Sequence, residues 1–212
     1  MPDFEKQTGH KVTVDNGTAG ELKKRIEGGE VFDVAVITPG VVDDLIAQGK
    51  IAAGSRINLA SVGVGVVVKE GAPKPDVSTV EAFKRALLAA KSVAYIDPAS
   101  GGSSGIYVAG LLDKLGIAEQ IKPKAKLQKG GHVSDLVKTG EAEIGIHQTS
   151  EIVGQAGVTL VGPLPKDIQN YTTYAVGLGS SAKQAEAAKA FIKVLTGPSA
   201  AAVLKATGME GA

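Results

Sequence analysis

Ser92-Val93-Ala94-Tyr95-Ile96-Asp97-Pro98-Ala99-Ser100-Gly101-Gly102-Ser103-Ser104-Gly105-Ile106 is the stretch on which the fold turns. Ser92 to Ile96 has the β-branched and aromatic character of a short buried strand. A glycine- and serine-rich turn follows, and then Ile106, Ala109 and Leu112 fall on one face of a helix that Gly116 ends. A short apolar strand, a turn and an amphipathic helix make half of a βαβ unit, the building block of parallel sheets.

The same alternation continues on both sides. Downstream, Lys126–Gln128 reads as a strand entering Gly130-Gly131-His132-Val133-Ser134-Asp135 and a short helix. Glu143–His147, Thr159–Val161 and Thr172–Leu178 read as further strands, with Thr149-Ser150 able to cap a helix. An alanine-rich helix runs from Ser181 to Leu195, and a last helix after Gly197-Pro198 reaches Thr207. Upstream, Ser78-Thr79-Val80-Glu81 has capping-box spacing before a helix carrying Phe83, Leu87 and Leu88. Val62–Val68 reads as a buried strand whose glycines mark close backbone approach. Val41–Gln48 is a helix closed by Gly49, and Val31–Ile37 is apolar enough to predict a strand buried on both faces. Leu22 and Ile26 share a helical face stopped at Gly28-Gly29, and Lys11–Val14 predicts a first strand. Crossings near Val64–Val68 and Tyr174–Leu178 divide the chain into an outer lobe, residues 1–65 and 173–212, and an inner lobe, residues 66–172. Two lobes joined by two strands predict a hinge and a cleft.

Composition narrows the function. The 212 residues are 43% hydrophobic and 21% charged, which excludes disorder and fibrous repeats. Lysine and arginine total 23 against 22 acids, a net charge of +1, so no field draws nucleic acid or an anionic membrane. There is no cysteine, hence no disulfide framework and no thiolate metal site. His10, His132 and His147 have no metal-ligand spacing, so no metal and no cofactor is expected. No run nears the roughly 18 apolar residues of a membrane span, and the start Met1-Pro2-Asp3-Phe4-Glu5-Lys6 has no signal-peptide pattern.

Three glycine- and serine-rich turns stand where a strand ends and a helix begins: Asn16–Gly20, Ser100–Gly105 and Gly130–Ser134. Ligands of open parallel sheets bind outside the carboxyl ends of strands, where free N–H groups and helix dipoles favour an anion. A non-enzymatic anion cage is therefore expected. Gly101-Gly102-Ser103-Ser104-Gly105 also matches the G-x-S-x-G nucleophile elbow, with Asp113 and His132 or His147 following in hydrolase order. That alternative requires an imidazole within about 3 Å of the Ser103 hydroxyl.

Over nearly its whole length the chain resembles the periplasmic molybdate-binding protein family, solute receptors of ABC importers with a two-lobed type II binding-protein fold. The resemblance rests on Phe4-Glu5-Lys6-Gln7-Thr8-Gly9-His10-Lys11-Val12, Gly20-Glu21-Leu22 through Ile26-Glu27-Gly28-Gly29, Phe32-Asp33-Val34-Ala35-Val36, and Asp97-Pro98 with Gly105-Ile106-Tyr107. It continues through Gly140-Glu141-Ala142-Glu143-Ile144-Gly145-Ile146, Ser150-Glu151, Gly162-Pro163-Leu164-Pro165 and Gly208-Met209. It implies α/β lobes, each a mostly parallel sheet flanked by helices, a periplasmic location and a membrane permease as partner. Ligand contacts are implied at Thr18, Ala19 and Gly20, at Ser103, Ser104 and Gly105, and at His132 and Val133. The tyrosine that closes the molybdate site falls near Gln148, and Ser103, Ser104, His132 and Gln148 offer more donors than a tetrahedral oxyanion needs. A small organic carboxylate is thus the alternative to a molybdate-like ligand. The family's first strand has no counterpart ahead of Phe4, so a vacant or substituted sheet position is expected beside Val31–Ile37. A homo-oligomer could form through that incomplete sheet, and a non-binding interaction or regulatory remnant is a further alternative.

Overall fold

The computed structural model describes residues 2–211, and the chain forms two compact units. One comprises Met1–Ser61, Thr173–Ala206 and Glu210–Ala212; the other comprises Val62–Thr172 and Thr207–Met209.

The first unit opens with α1 (Pro2–Thr8), α2 (Ala19–Glu27), β1 (Val34–Ile37) and α3 (Pro39–Ala47), and β2 (Ile57–Lys69) then carries the chain onward. Helix α2 starts where it does because Thr18 and Glu21 form a reciprocal capping box: the Thr18 hydroxyl accepts from the Glu21 N–H, and the Glu21 carboxylate accepts from the Thr18 N–H. Ile26, Ile37, Val42, Leu45, Ile51 and Ala175 make the core. Phe4 anchors α1 from the side, its ring 5.1 Å from that of Phe191.

The second unit contains α4 (Val80–Ala89), β3 (Val93–Ile96), α5 (Ser103–Lys114), α6 (Ala118–Ile121), β4 (Ala125–Gln128), α7 (Val133–Thr139), β5 (Ile144–Gln148) and β6 (Val158–Pro163). Strand β7 (Tyr171–Leu178) leads back to the first unit, which ends with α8 (Ala185–Leu195), α9 (Pro198–Ala206) and β8 (Glu210–Gly211). In the second unit β2 lies between β6 and β5, both antiparallel to it, while β5, β3 and β4 run parallel to one another. Strand alternation then sorts the apolar side chains to two faces. Val64, Val66, Val93, Tyr95, Ile144 and Ile146 pack with α4, α5 and α6, whereas Val67, Ala94, Ile96 and Ala142 pack with Val133 and Val137 of α7. Helices α5 and α7 therefore flank opposite faces of one sheet.

Several expectations are corrected. Lys11–Val14 forms no strand, and Val14 is 53% exposed. β-propensity makes a strand only where a neighbouring ladder takes the backbone groups; here the Val12 N–H turns instead to the Glu5 carboxylate at 2.8 Å. The stretch Val31–Ile37 is a strand only from Val34, and it is not buried on both faces, since Val36 is 39% exposed. Strand β1 pairs with β7 alone, and among the described residues no strand lies on its other edge. The β1–β7 and β2–β8 ladders of the first unit are antiparallel, and the parallel ladders of β3 with β4 and with β5 lie in the second unit. Helix α4 is capped by Thr79, whose hydroxyl accepts from the Ala82 N–H, because the Ser78 hydroxyl is committed to Asp76.

Candidate functional site

The carboxyl ends of β3, β4 and β5 are adjacent, since these three strands are parallel neighbours. From β3 the chain passes to α5 on one face, and from β4 to α7 on the other, so the turns diverge at this edge. Divergence of successive crossovers opens a crevice at the strand ends of an α/β sheet.

The β3 turn is built by local bonds. Asp97 accepts from the Ala99 N–H, the Ser100 hydroxyl donates to the Asp97 carbonyl, and Gly101 takes φ +75°. Ser103 then becomes the first residue of α5, after a cap residue, Gly102, that has no side chain to satisfy the first-turn N–H groups. Gly105 sets how close this helix end comes to the sheet. A Cβ there would lie 2.3 Å from the Ile96 carbonyl oxygen, so only glycine permits the packing.

Ser103 is the hub. Its Oγ accepts from Gln148 Nε2 at 3.1 Å and from Thr172 Oγ1 at 3.3 Å. With both donors directed at that oxygen, the serine's own proton remains available to another acceptor. Ser104 and Gly105 are buried behind it, and Gln148 is only 4% exposed at the end of β5. Among the described residues the partners of the Ser103 hydroxyl are an amide and another hydroxyl, rather than the imidazole that the hydrolase alternative calls for.

On the α7 face, His132 is the cap residue of α7 and makes no side-chain capping bond. Its Nδ1 lies 3.0 Å from Glu151 Oε2. The contact is close but off the line of a formed hydrogen bond, and Nδ1 is itself buried although the side chain is 41% exposed. The exposed part of His132 is therefore elsewhere than Nδ1. The Ser134 hydroxyl donates to the Glu151 carbonyl at 3.3 Å, tying the β4 and β5 turns together. Val133, also buried, packs into the core below. Behind them sits His147, which alternation along β5 places on the face opposite Gln148. Burial, with a smaller contribution from His132 nearby, pushes its pKa down to about 3, so it is a neutral imidazole. Its Nδ1 has no hydrogen-bond partner among the described residues.

Of the residues expected from sequence, Ser103 and Gln148 meet directly, Ser104 and Gly105 share the head of α5, and His132 and Val133 open α7. Thr18, Ala19 and Gly20 open α2 in the first unit, where the Thr18 hydroxyl serves the helix cap. Thr172 and Glu151 were missed. Thr172 looked like one more alternating strand residue, and Glu151 appeared only within the quoted Ser150-Glu151 match. Among the described residues no group of three or more His, Asp or Glu side chains is placed to hold a metal ion.

Known proteins fit this picture. The family described as bacterial extracellular solute-binding protein matches residues 1–210. An aconitate isomerase of Pseudomonas sp is 32% identical over 99% of this chain and 80% of its own length. The molybdate-binding protein ModA of Azotobacter vinelandii is 30% identical over 97% of this chain and 81% of its own. Among solved structures, the periplasmic molybdate-binding protein of the same organism superposes with a TM-score of 0.81 at 22% identity, covering 98% of this chain and 90% of that one, which speaks for the fold. The match along almost the full chain, on a two-unit α/β fold, makes this protein a member of the bacterial extracellular solute-binding protein family, with solute binding as its role.

Proposed function

We propose that the second unit binds a small organic polycarboxylate, and that the protein delivers it in the periplasm to the membrane permease of an importer. The observation that carries this reading is Gln148 donating to Ser103, at the position where the resemblance to molybdate receptors implies a tyrosine. Ser103, Ser104 and the first-turn N–H groups of α5 form a neutral donor set suited to one carboxylate. The Glu151 carboxylate, 3.0 Å from His132, adds a negative charge to the neighbouring turn. A compact dianion held against both turns would be repelled there; a longer acid can place a carboxylate at α5 and an uncharged carbon segment toward His132. The named activity of the Pseudomonas relative concerns such an acid, an unsaturated tricarboxylate.

Isothermal titration and thermal shift with molybdate, tungstate, sulfate, citrate, tricarballylate and the two aconitate isomers test the proposal. A tricarboxylate at 100-fold over its Kd should stabilise the protein by about 2.7 kcal/mol. Tight molybdate binding with no response to carboxylates refutes it, and silence across the panel favours the non-binding remnant. A second reading, that the bound acid is also chemically converted, is favoured by the His132–Glu151 pair, which a passive receptor does not need.

A further inference from the structure

We infer that Ser103 reports ligand occupancy to the places where the chain passes between the two units, with Thr172 and Thr149 as the positioning residues that carry the signal. This rests on the reading that an anion binds at the head of α5, and goes beyond it, from where the ligand sits to what its arrival changes.

The chain leaves the first unit after Ser61, returns to it after Thr172, and late in its course lends Thr207–Met209 to the second unit before Glu210. Within the second unit each of these passages is bonded to a donor of Ser103 or to the residue beside one. Thr172, whose hydroxyl donates to Ser103 Oγ at 3.3 Å, is itself the last residue before the return. Gln148, the other donor, is followed by Thr149, whose hydroxyl faces two carbonyls, that of Gly208 at 2.9 Å and that of Gly63 at 3.3 Å. Gly63 lies just past the first passage, and Gly208 is the middle of Thr207–Met209. Thr149 has one hydroxyl proton for two acceptors, so it holds the nearer carbonyl and shares weakly with the other. The passages are also braced locally. Gln169 takes both backbone groups of Val64, accepting from the N–H at 2.8 Å and donating to the carbonyl at 2.9 Å. In the first unit the Ser61 and Thr173 hydroxyls lie 2.9 Å apart, and Glu210 pairs with Ser61.

An anion at the head of α5 changes the strength of these bonds without breaking any. When the Ser103 proton goes to an anionic oxygen, electron density on Ser103 Oγ rises and both incoming bonds strengthen, because hydrogen bonds in a chain polarise one another. There is room for this. Hydroxyl pairs settle at about 2.7–2.8 Å, whereas Thr172 stands 3.3 Å from Ser103. Tightening fixes the Thr172 side chain, and with it the backbone that the next residue carries into the first unit. Tightening at Gln148 fixes the start of the Thr149 turn and, through its hydroxyl, the carbonyls of Gly63 and Gly208. The passages are thus held more firmly with the anion bound. That supplies the difference between states through which a ligand shifts a conformational equilibrium, and a receptor needs such a difference if its partner is to tell the loaded form from the unloaded one.

The experiment is amide hydrogen exchange of the full chain, with and without citrate and, separately, molybdate, each variant held at equal saturation by titration calorimetry. Binding protects alike all amides that exchange through global opening, and α4 supplies that baseline. In the wild type, amides at 60–65, 171–175 and 207–211 should gain at least about fivefold protection beyond it. Thr172→Val should bind within about tenfold of the wild type and lose the extra gain at 171–175 alone. Thr149→Val should lose it at 60–65 and 207–211 and keep it at 171–175. Thr172→Ser and Thr149→Ser, which retain the hydroxyl, should restore the wild-type pattern. A merely structural role lowers protection equally with and without the anion and leaves the gain unmoved; that result overturns the inference. A wild type that binds either anion with no gain beyond α4 also overturns it and leaves the site at α5 standing, and a wild type that binds neither overturns both. Binding of molybdate alone refutes the carboxylate reading, and the gains are then read with molybdate. Should a valine variant not fold, Ser103→Ala decides: the gain at all three segments should vanish, and an undiminished gain overturns the inference.

Discussion

Gly105→Ala isolates the contact that seats α5 on the sheet. The added Cβ would meet the Ile96 carbonyl oxygen at 2.3 Å, its carbon at 2.8 Å and the Ile96 Cβ at 3.0 Å. Two of these atoms are backbone in a buried strand, which has no rotamer to yield. Ordinary contact begins near 3.4 Å, so the helix end must lift by about 1 Å. Overpacking of this kind costs roughly 1–3 kcal/mol. For a chain of this length each kcal/mol moves Tm by about 2–4 °C, so a loss of about 2–12 °C is expected. The same displacement stretches the 3.1 Å bond from Gln148 to Ser103 beyond hydrogen-bonding range. Ligand affinity should then fall about tenfold, the worth of one such bond. Gly110→Ala is the control in the same helix: nothing lies within 4 Å of its added Cβ, and the position is exposed. It should stabilise by roughly 0.5–1 kcal/mol through lower backbone entropy in the unfolded chain. Thermal melts and ligand titration of the two variants read out both effects. If Gly105→Ala melts at or above the wild-type temperature and binds as tightly, the close approach of α5 to β3 does not exist as described.

His147 should make the protein acid-labile. Its pKa, about 3 when folded, stands below the ordinary 6.5, so the unfolded chain binds the extra proton between those values. Stability from this group is complete above pH 6.5 and is lost as pH falls toward 3, amounting to about 2 kcal/mol by pH 5; urea melts at pH 7 and 5 should show the loss, and His147→Leu should flatten it. Lys124 donates to the carbonyls of Leu88 and Ala90 at 2.7 and 2.6 Å, closing the C-terminus of α4. Lys124→Met should therefore cost about 1 kcal/mol by chemical denaturation, where a purely solvated lysine would cost nothing.

Most of the second unit was legible in the sequence because its signals are local. Ser92–Ile96 and the helix behind it stand within a residue or two of expectation, since a buried parallel strand is apolar throughout and a helix shows its stripe. Lys11–Val14 failed for the opposite reason: whether an extended segment pairs depends on residues far away, and Val12 found Glu5 instead. Lys124 stands in a lysine-rich stretch with no local capping signal, yet it closes α4 from 34 to 36 positions away. The site divides in the same way. Ser103 and His132 announce themselves by standing in strand-to-helix turns, where the chemistry of exposed N–H groups is general. Thr172 reaches Ser103 across 69 positions, and Glu151 reaches His132 across 19, and no spacing rule connects such pairs.

Affinity separates the head of α5 from the head of α7 as ligand contacts. Ser103→Ala removes the hydroxyl that Gln148 and Thr172 serve, so carboxylate binding should weaken about tenfold, the worth of one hydrogen bond. His132→Gln removes the imidazole beside Glu151 and leaves those bonds in place. A comparable loss of affinity in His132→Gln would mean that one acid spans both turns and that His132 is one more donor to it. Unchanged affinity in His132→Gln would confine the ligand to the head of α5. The longer acid proposed above would then have no second anchor to favour it over a compact oxyanion.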